Sequence, residues 1–181
     1  MGHEFKHKDL VEICKKEQGF EGIYYNATLL AAIGRNKYLV RYDTRFSDDE
    51  TRYLTEAVEA EEVRPSFPKN ISYTNFVVSD RVEAYVNFAW RVGTVTRKVD
   101  PNYYVRLDCN GNEEHCAFYK VRLHLEWENG RWFYPGTGSQ SSQASTSEQG
   151  AQPASESNQA NTVSEEGDQP KNESDQPNPG Q

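Results

Sequence analysis

Cys109, His115, Cys116 and His124 are metal-ligating residue types gathered within a short stretch, and the chemistry they suggest is zinc binding. Their spacing matches no common ligand pattern. Three of them surround a turn signal at Asn110-Gly111, where strand alternation would scatter them to opposite faces, so no metal is expected. The chain offers no nucleophile elbow, no phosphate-cradling glycine loop, and no histidine and acid that strand periodicity would bring together. Neither catalysis nor a cofactor is expected. What remains is the chemistry of recognition, for which the chain has three sets of residues. Arg91, Arg97, Lys98, Arg106, Lys120 and Arg122 form a basic set that suits nucleic acid or ordinary strand decoration. Glu56, Glu59, Glu61 and Glu62 form an acidic run that suits a solvated face or the steering of a basic partner. The third set is aromatic: all eleven tyrosines and all three tryptophans precede Pro135.

The elements that must position these side chains are written twice. Asp9-Leu10-Val11-Glu12-Ile13 leads to Gly19-Phe20-Glu21-Gly22-Ile23-Tyr24-Tyr25-Asn26-Ala27-Thr28, then Tyr38-Leu39-Val40-Arg41-Tyr42-Asp43, then Glu62-Val63-Arg64. Asp80-Arg81-Val82-Glu83-Ala84 leads to Trp90-Arg91-Val92-Gly93-Thr94-Val95, then Tyr103-Tyr104-Val105-Arg106-Leu107-Asp108, then Lys120-Val121-Arg122. A repeat of about 60 residues with strand periodicity and no sustained helical period predicts paired small β modules, which bind more often than they catalyse. The expected strands are Leu10–Cys14, Ile23–Ala31, Lys37–Asp43 and Thr51–Val58 in the first copy. In the second they are Val82–Tyr85, Trp90–Arg97, Tyr103–Asp108 and Glu113–Tyr119, with a tight hairpin at Asn110-Gly111. Each copy closes on a short segment carrying Val63 or Val121. The fold class is therefore all-β, with units at 5–66 and 71–134, each a bent sheet of about five strands curled into a small barrel.

Residues 135–181 carry seven acidic residues, one basic residue and no aromatic, and are expected to be a disordered acidic tail. That tail holds most of the net charge of -8, so the acidity of the whole says little about the partner of the folded part. Three cysteines at no scaffold spacing, with no apolar signal region at the start, suggest a reducing intracellular compartment. The sequons at Asn26, Asn70 and Asn172 are then chance matches. No apolar run approaches the roughly 20 residues of a membrane span, so no membrane partner is expected. The linker Pro65-Ser66-Phe67-Pro68-Lys69-Asn70 is short and stiffened by two prolines, which favours units packed together as a monomer. Phe67, Tyr73 and Phe76 are candidate contacts, and Trp127 and Trp132 are expected to complete the second barrel or cover the seam.

At the repeated motifs, and at the closing Arg122-Leu123-His124-Leu125-Glu126-Trp127, the sequence resembles the plant Agenet family, a branch of the Tudor-like barrels. The resemblance spans roughly residues 5–133. It implies a tandem Tudor-like pair, a nuclear setting, and recognition of methylated lysine on histone tails. Such a cation keeps its charge but loses hydrogen-bond donors, so aromatic faces hold it best, with a carboxylate nearby if a proton remains. Carried over to this chain, the resemblance places a cage at Tyr25, Tyr42 and Phe46, with Phe20 or Tyr24 as a further wall and Asp43 as the acidic contact. In the second copy Arg91 stands in place of Tyr25 and Leu107 in place of Tyr42. There Trp90 and Phe88 are the aromatic candidates left, and that unit is expected to wall a peptide groove with Glu113 and Glu114. Tyr24 and Trp90 occupy equivalent positions, which suit core packing as well as a cage. Two alternatives stay open: a protein scaffold that reads no modification, and nucleic-acid binding through the basic face of the second copy.

Overall fold

The computed structural model describes residues 4–71 and 75–136. The expected contact of Tyr73 lies outside these residues, as does the tail beyond Gly136. Among the described residues the chain is built of strands with two short 3-10 turns. In the first copy, β1 (Leu10–Ile13), β2 (Ile23–Ile33), β3 (Lys37–Phe46), β4 (Tyr53–Glu59) and β5 (Val63–Pro65) pair antiparallel in the order β5-β1-β2-β3-β4. In the second, β6 (Arg81–Val86), β7 (Ala89–Val99), β8 (Asn102–Leu107), β9 (Glu113–Cys116) and β10 (Val121–Leu123) repeat it as β10-β6-β7-β8-β9.

The long strands β2 and β7 each carry a register irregularity, between Leu29 and Ala31 and between Val95 and Arg97. An extra residue in one strand bends it and strengthens its twist, which curls a five-stranded sheet around a small core. Alternation then sends Val11, Ile13, Ala27, Leu29, Val40, Tyr42 and Val58 into the first core. Val82, Ala84, Val95, Tyr103, Val105 and Leu107 fill the second. Burying each such aliphatic side chain contributes about 1.5–3 kcal/mol. Gly93 takes the place of Ala27 in the second copy because a Cβ there would meet the Arg106 carbonyl oxygen at 2.5 Å.

Two turns differ from expectation. Asn110-Gly111 is not a two-residue hairpin: the Gly111 amide donates to the Leu107 carbonyl at 2.8 Å, and the Leu107 amide to the Asn112 carbonyl at 2.9 Å, within a wider loop. The two-residue turn is Asn87-Phe88, where the expected strands left residues 86–89 between them; both residues have positive φ, 50° and 62°, between the paired Val86 and Ala89. The fourth strand of the second copy also ends early, at Cys116, because Phe118–Lys120 turn into a 3-10 segment. Phe76 is not a contact between units; it is buried in the second core, edge-on to Tyr103 at 5.6 Å.

The units are joined along the first residues of β2 and β7, which pair antiparallel with Tyr24 opposite Trp90 and Ile23 opposite Arg91. Residues at equivalent places in the repeat thus meet each other, so the seam has a local pseudo-two-fold. Its charged core obeys the same symmetry. Arg64 donates through Nε to Glu12 at 2.9 Å and through Nη2 to Glu83 at 2.8 Å. Arg122 donates through Nε to Glu83 at 3.0 Å and through Nη2 to Glu12 at 2.7 Å. Each guanidinium also lies on the ring of its own unit's β strand, Arg64 over Tyr24 at 3.3 Å and Arg122 over Trp90 at 3.9 Å. His124 adds a 2.8 Å contact to the second oxygen of Glu83. Burial alone would raise the Glu83 pKa, but Arg64, the His124 hydrogen bond and Arg122 outweigh it and hold the carboxyl at about 2. A hairpin of β11 (Glu126–Glu128) and β12 (Arg131–Phe133) caps the cluster; Trp132 reaches Phe67 at 5.9 Å and the Arg64 guanidinium at 5.2 Å. Thus Phe67 and Trp132 do bridge the units.

Candidate functional site

The place where the first unit could hold a cation is the end of β3. From Lys37 to Tyr42 the strand alternates normally, with Tyr38, Val40 and Tyr42 buried. Its pairing with β4 then breaks: Arg41 faces Thr55, yet Phe46 faces Tyr53, so more residues pass on β3 than on β4. Unbroken alternation would put Phe46 on the same face as Tyr42 and Arg45 on the other. The bulge undoes this. Arg45 folds back over the barrel mouth, and Phe46 is thrown outward, 53 % exposed and stacked on Tyr53 at 4.9 Å.

Around Arg45 stand three of the expected rings. Its guanidinium carbon lies 4.6 Å from the centroid of Tyr42, 5.0 Å from Tyr25 and 5.7 Å from Phe20. Tyr25 meets Tyr42 edge-on at 6.1 Å. Phe20 arrives from the long β1–β2 connection, while Tyr25 and Tyr42 come from neighbouring strands. Tyr42 has 0 % of its surface exposed and donates its hydroxyl to Glu56 Oε2 at 2.5 Å. Burial, then the hydrogen bond to Glu56, raises the Tyr42 pKa well above the ordinary phenol value, so the ring stays neutral. Arg45 Nη1 comes within 4.0 Å of Glu56 Oε2. The recess therefore combines three π faces and one carboxylate around one positive charge, an arrangement that favours cations by about 0.5–2 kcal/mol per face.

The seven expected site residues thus separate into three groups. Phe20, Tyr25 and Tyr42 converge. Tyr24 and Trp90 are taken up by the seam, lying under Arg64 and Arg122, and burial raises the Tyr24 hydroxyl pKa. Phe46 and Asp43 stand outside the ring cluster: Asp43 is exposed and accepts a long 3.4 Å hydrogen bond from Thr28. Two participants were not expected in the site. Glu56 reads as part of a solvated acidic run, and Arg45 had no expected role. The clue in the sequence was a cation beside the aromatic strand end, although nothing local shows the bulge that redirects it.

A second feature borders the recess. Phe20 faces the rings, and its neighbours Glu21 and Gly22 line a depression of about 430 Å³ along the seam, with Glu61, Glu62, Glu126 and Trp127. Glu21, Glu61 and Glu126 are exposed, and Glu61 pairs with Lys16. The second unit approaches from another side: the Thr44 hydroxyl donates to the Phe88 carbonyl at 2.8 Å, holding the β6–β7 turn beside the end of β3. The expected basic face is largely committed elsewhere. Arg122 is turned into the seam, Arg91 donates to the Val86 carbonyl at 2.9 Å, and Arg97 pairs with Glu113 at 3.2 Å. Among the described residues no group of His, Cys, Asp and Glu side chains is placed to hold a metal.

Fold and recess together define a tandem small-barrel binding module. The Agenet domain family model matches residues 8–68. The Arabidopsis thaliana protein AGENET DOMAIN (AGD)-CONTAINING P1 is 32% identical over 124 residues, which cover 67% of this chain and 24% of that protein. DUF724 domain-containing protein 3 of Arabidopsis thaliana is 32% identical over 132 residues, 70% of this chain and 19% of the relative. The chain thus spans about a quarter or less of the curated relatives it matches. The crystal structure of Arabidopsis thaliana AGDP1 AGD34 superposes with a TM-score of 0.67 at 27% identity, covering 72% of this chain and 90% of that one. The crystal structure of ADCP1 tandem Agenet domain 3-4 gives 0.64 at 24% identity, covering 72% and 88%, and supports the fold alone. The chain belongs to the Agenet domain family of plants, as a tandem pair. Agenet domains are chromatin-associated modules that bind proteins and peptides.

Proposed function

We propose that this tandem recognises a methylated lysine in a histone-like basic peptide, in the nucleus, through the recess of Phe20, Tyr25 and Tyr42. One observation carries the reading: three aromatic faces converge on a single cation at 4.6–5.7 Å. A methylated ammonium can make the same π contacts without needing the hydrogen bonds a buried donor demands. The exposed carboxylates of Glu21 and Glu126 suit the basic residues that flank such a lysine, whereas Glu61 is already paired with Lys16. Three faces and a few flanking contacts correspond to binding in the micromolar range, about 8 kcal/mol.

The test is a titration of the full chain with a histone-tail peptide in unmethylated and trimethylated forms. The expected result is a methyl-dependent gain of tenfold or more, abolished by Tyr25→Ala; the ring packs partly buried against the first core, so the variant's fold is checked by its unfolding midpoint. Equal affinity for the two forms would remove methyl-lysine from the reading and leave a protein-binding scaffold.

A further inference from the structure

The cation in the recess belongs to the protein itself, and it is poorly served there. Arg45 Nη1 is buried without a hydrogen bond of good geometry, and its polar neighbour is the Tyr42 hydroxyl, which already donates to Glu56. The nearest carboxylate, Glu56, is already engaged: its Oε2 takes the Tyr42 hydroxyl at 2.5 Å and its Oε1 lies 3.4 Å from Lys15 Nζ. Arg45 reaches that Oε2 only at 4.0 Å, beyond hydrogen-bond range. A guanidinium carries five N–H donors, and leaving one of them buried and unpaired costs free energy that water would return on release. The recess supplies aromatic faces in abundance and acceptors hardly at all. It is therefore mismatched to a guanidinium and matched to a bulky cation with few or no donors.

Release asks little of the fold. Arg45 sits at the far end of β3, past the bulge and next to the exposed 47–52 connection, and it fills no core position in either unit. The Ser47 amide still pairs with the Arg52 carbonyl at 2.9 Å, and Asp49 accepts from Ser47 and Thr51, whatever the Arg45 side chain does. Rotation of one side chain into solvent would uncover the faces of Tyr25 and Tyr42 that the guanidinium now covers.

We infer that Arg45 is a resident competitor for the aromatic recess: it occupies the site in the free protein, and a methylated ammonium binds only by displacing it. This rests on the cation-binding reading of the recess and adds the occupant that controls it. The apparent affinity for any cation is the intrinsic affinity reduced by the fraction of molecules whose recess is empty. That reduction applies equally to all ligands, so weak binders such as an unmethylated lysine fall below useful affinity while a methylated one survives. Removing Arg45 strengthens binding, whereas removing a wall of the site weakens it, and the sign separates a competitor from a contact.

The experiment compares the wild-type chain with Arg45→Ala and Arg45→Gln, titrated with the trimethylated and unmethylated peptides and with tetramethylammonium as a minimal probe. In parallel, the Arg45 Nε–Hε resonance is followed by NMR in the wild type. Expected are at least tenfold tighter binding of the trimethylated peptide and of tetramethylammonium by both variants. The Arg45 resonance should start ring-current shifted and move to the free-arginine position as the wild type saturates. Unchanged or weaker binding in both variants overturns the inference, as does an Arg45 resonance that starts unshifted or does not move at saturation. If a variant fails to fold, the wild-type resonance decides alone. The two readings fail separately. Methyl-dependent binding that is equal in wild type and variants keeps the reader and removes the competitor. Tetramethylammonium binding that the variants strengthen, with no peptide binding in any protein, keeps the competitor and removes the reader.

Discussion

The same corner of the two units was built from the same plan and finished differently. In the first, β2 presents Tyr25, β3 presents Tyr42, and the long connection between β1 and β2 brings in Phe20; the three rings enclose a cation. In the second, the strand positions carry Arg91 and Leu107, and β6 turns directly into β7 through Asn87-Phe88, leaving no connection to supply a third ring. Arg91 is itself tied to the Val86 carbonyl at 2.9 Å, so a fixed cation stands where the first unit keeps a ring. The lesson is that strand framework and recognition chemistry are separable. Both copies keep the buried valines, the bulged long strand and the Glu–Arg pair of the seam, while the connections between strands decide which copy has a site.

The seam gives the largest expected effect and breaks the symmetry between the units. Glu83→Ala leaves Arg64 and Arg122 sharing the single carboxylate of Glu12 and removes the partner of His124, and we expect a loss of about 3–5 kcal/mol, read as a fall in Cm or Tm. Its equivalent Glu12→Ala should cost less, because Glu83 alone also holds His124. Next in size is acid sensitivity. The Glu83 carboxyl is held at about 2 when folded, against the ordinary glutamate 4.5, so its contribution is complete above about pH 4.5 and disappears as the pH falls toward 2. The loss should amount to about 3 kcal/mol over that window, and Glu83→Gln should flatten the pH dependence of unfolding there.

Within the first unit, Tyr42→Phe tests the hydroxyl bond to Glu56 without opening a cavity, and about 1–2 kcal/mol of stability should be lost. A contrast between Tyr25→Ala and Phe46→Ala sharpens the definition of the site. The first should abolish methyl-dependent binding, and the second should leave it within twofold, because Phe46 lies against Tyr53 outside the recess. The smallest effect belongs to the second unit's turn. Phe88 holds φ of 62° with 68 % of its surface exposed, a conformation that a bulky residue adopts only under strain. Phe88→Gly should therefore raise stability by up to about 1 kcal/mol in denaturant melts, whereas a loss would show that the ring packs on something the strain supports.

Much of this architecture was legible in the amino-acid order. Turn chemistry and strand periodicity identified most strands of both copies, and the doubled pattern identified two bent sheets of about five strands each, because such signals depend on residues close together in the chain. Three of the seven expected site residues, Phe20, Tyr25 and Tyr42, come together. The errors concentrate where chain neighbours do not decide the outcome. Phe46 was expected in the cage from the family resemblance, whereas β3 runs on through it and the mismatch between Arg41–Thr55 and Phe46–Tyr53 leaves it stacked on Tyr53 outside the ring cluster. Tyr24 and Trp90 were open to two roles, and pairing of β2 with β7 assigned them to the seam.

The order of residues by itself determined the strands, their cores and the presence of rings and carboxylates near one barrel mouth, since periodicity and turn chemistry are local properties of the chain. Only the tertiary structure decided which charge meets which. Glu12 and Arg122 are 110 residues apart and touch because two units close on each other, and Arg45 enters the rings because a sheet irregularity turned it there. Burial fixes the first of these, since a desolvated guanidinium between carboxylates has nowhere better to go, whereas the partly exposed Arg45 is held only by aromatic faces and can leave.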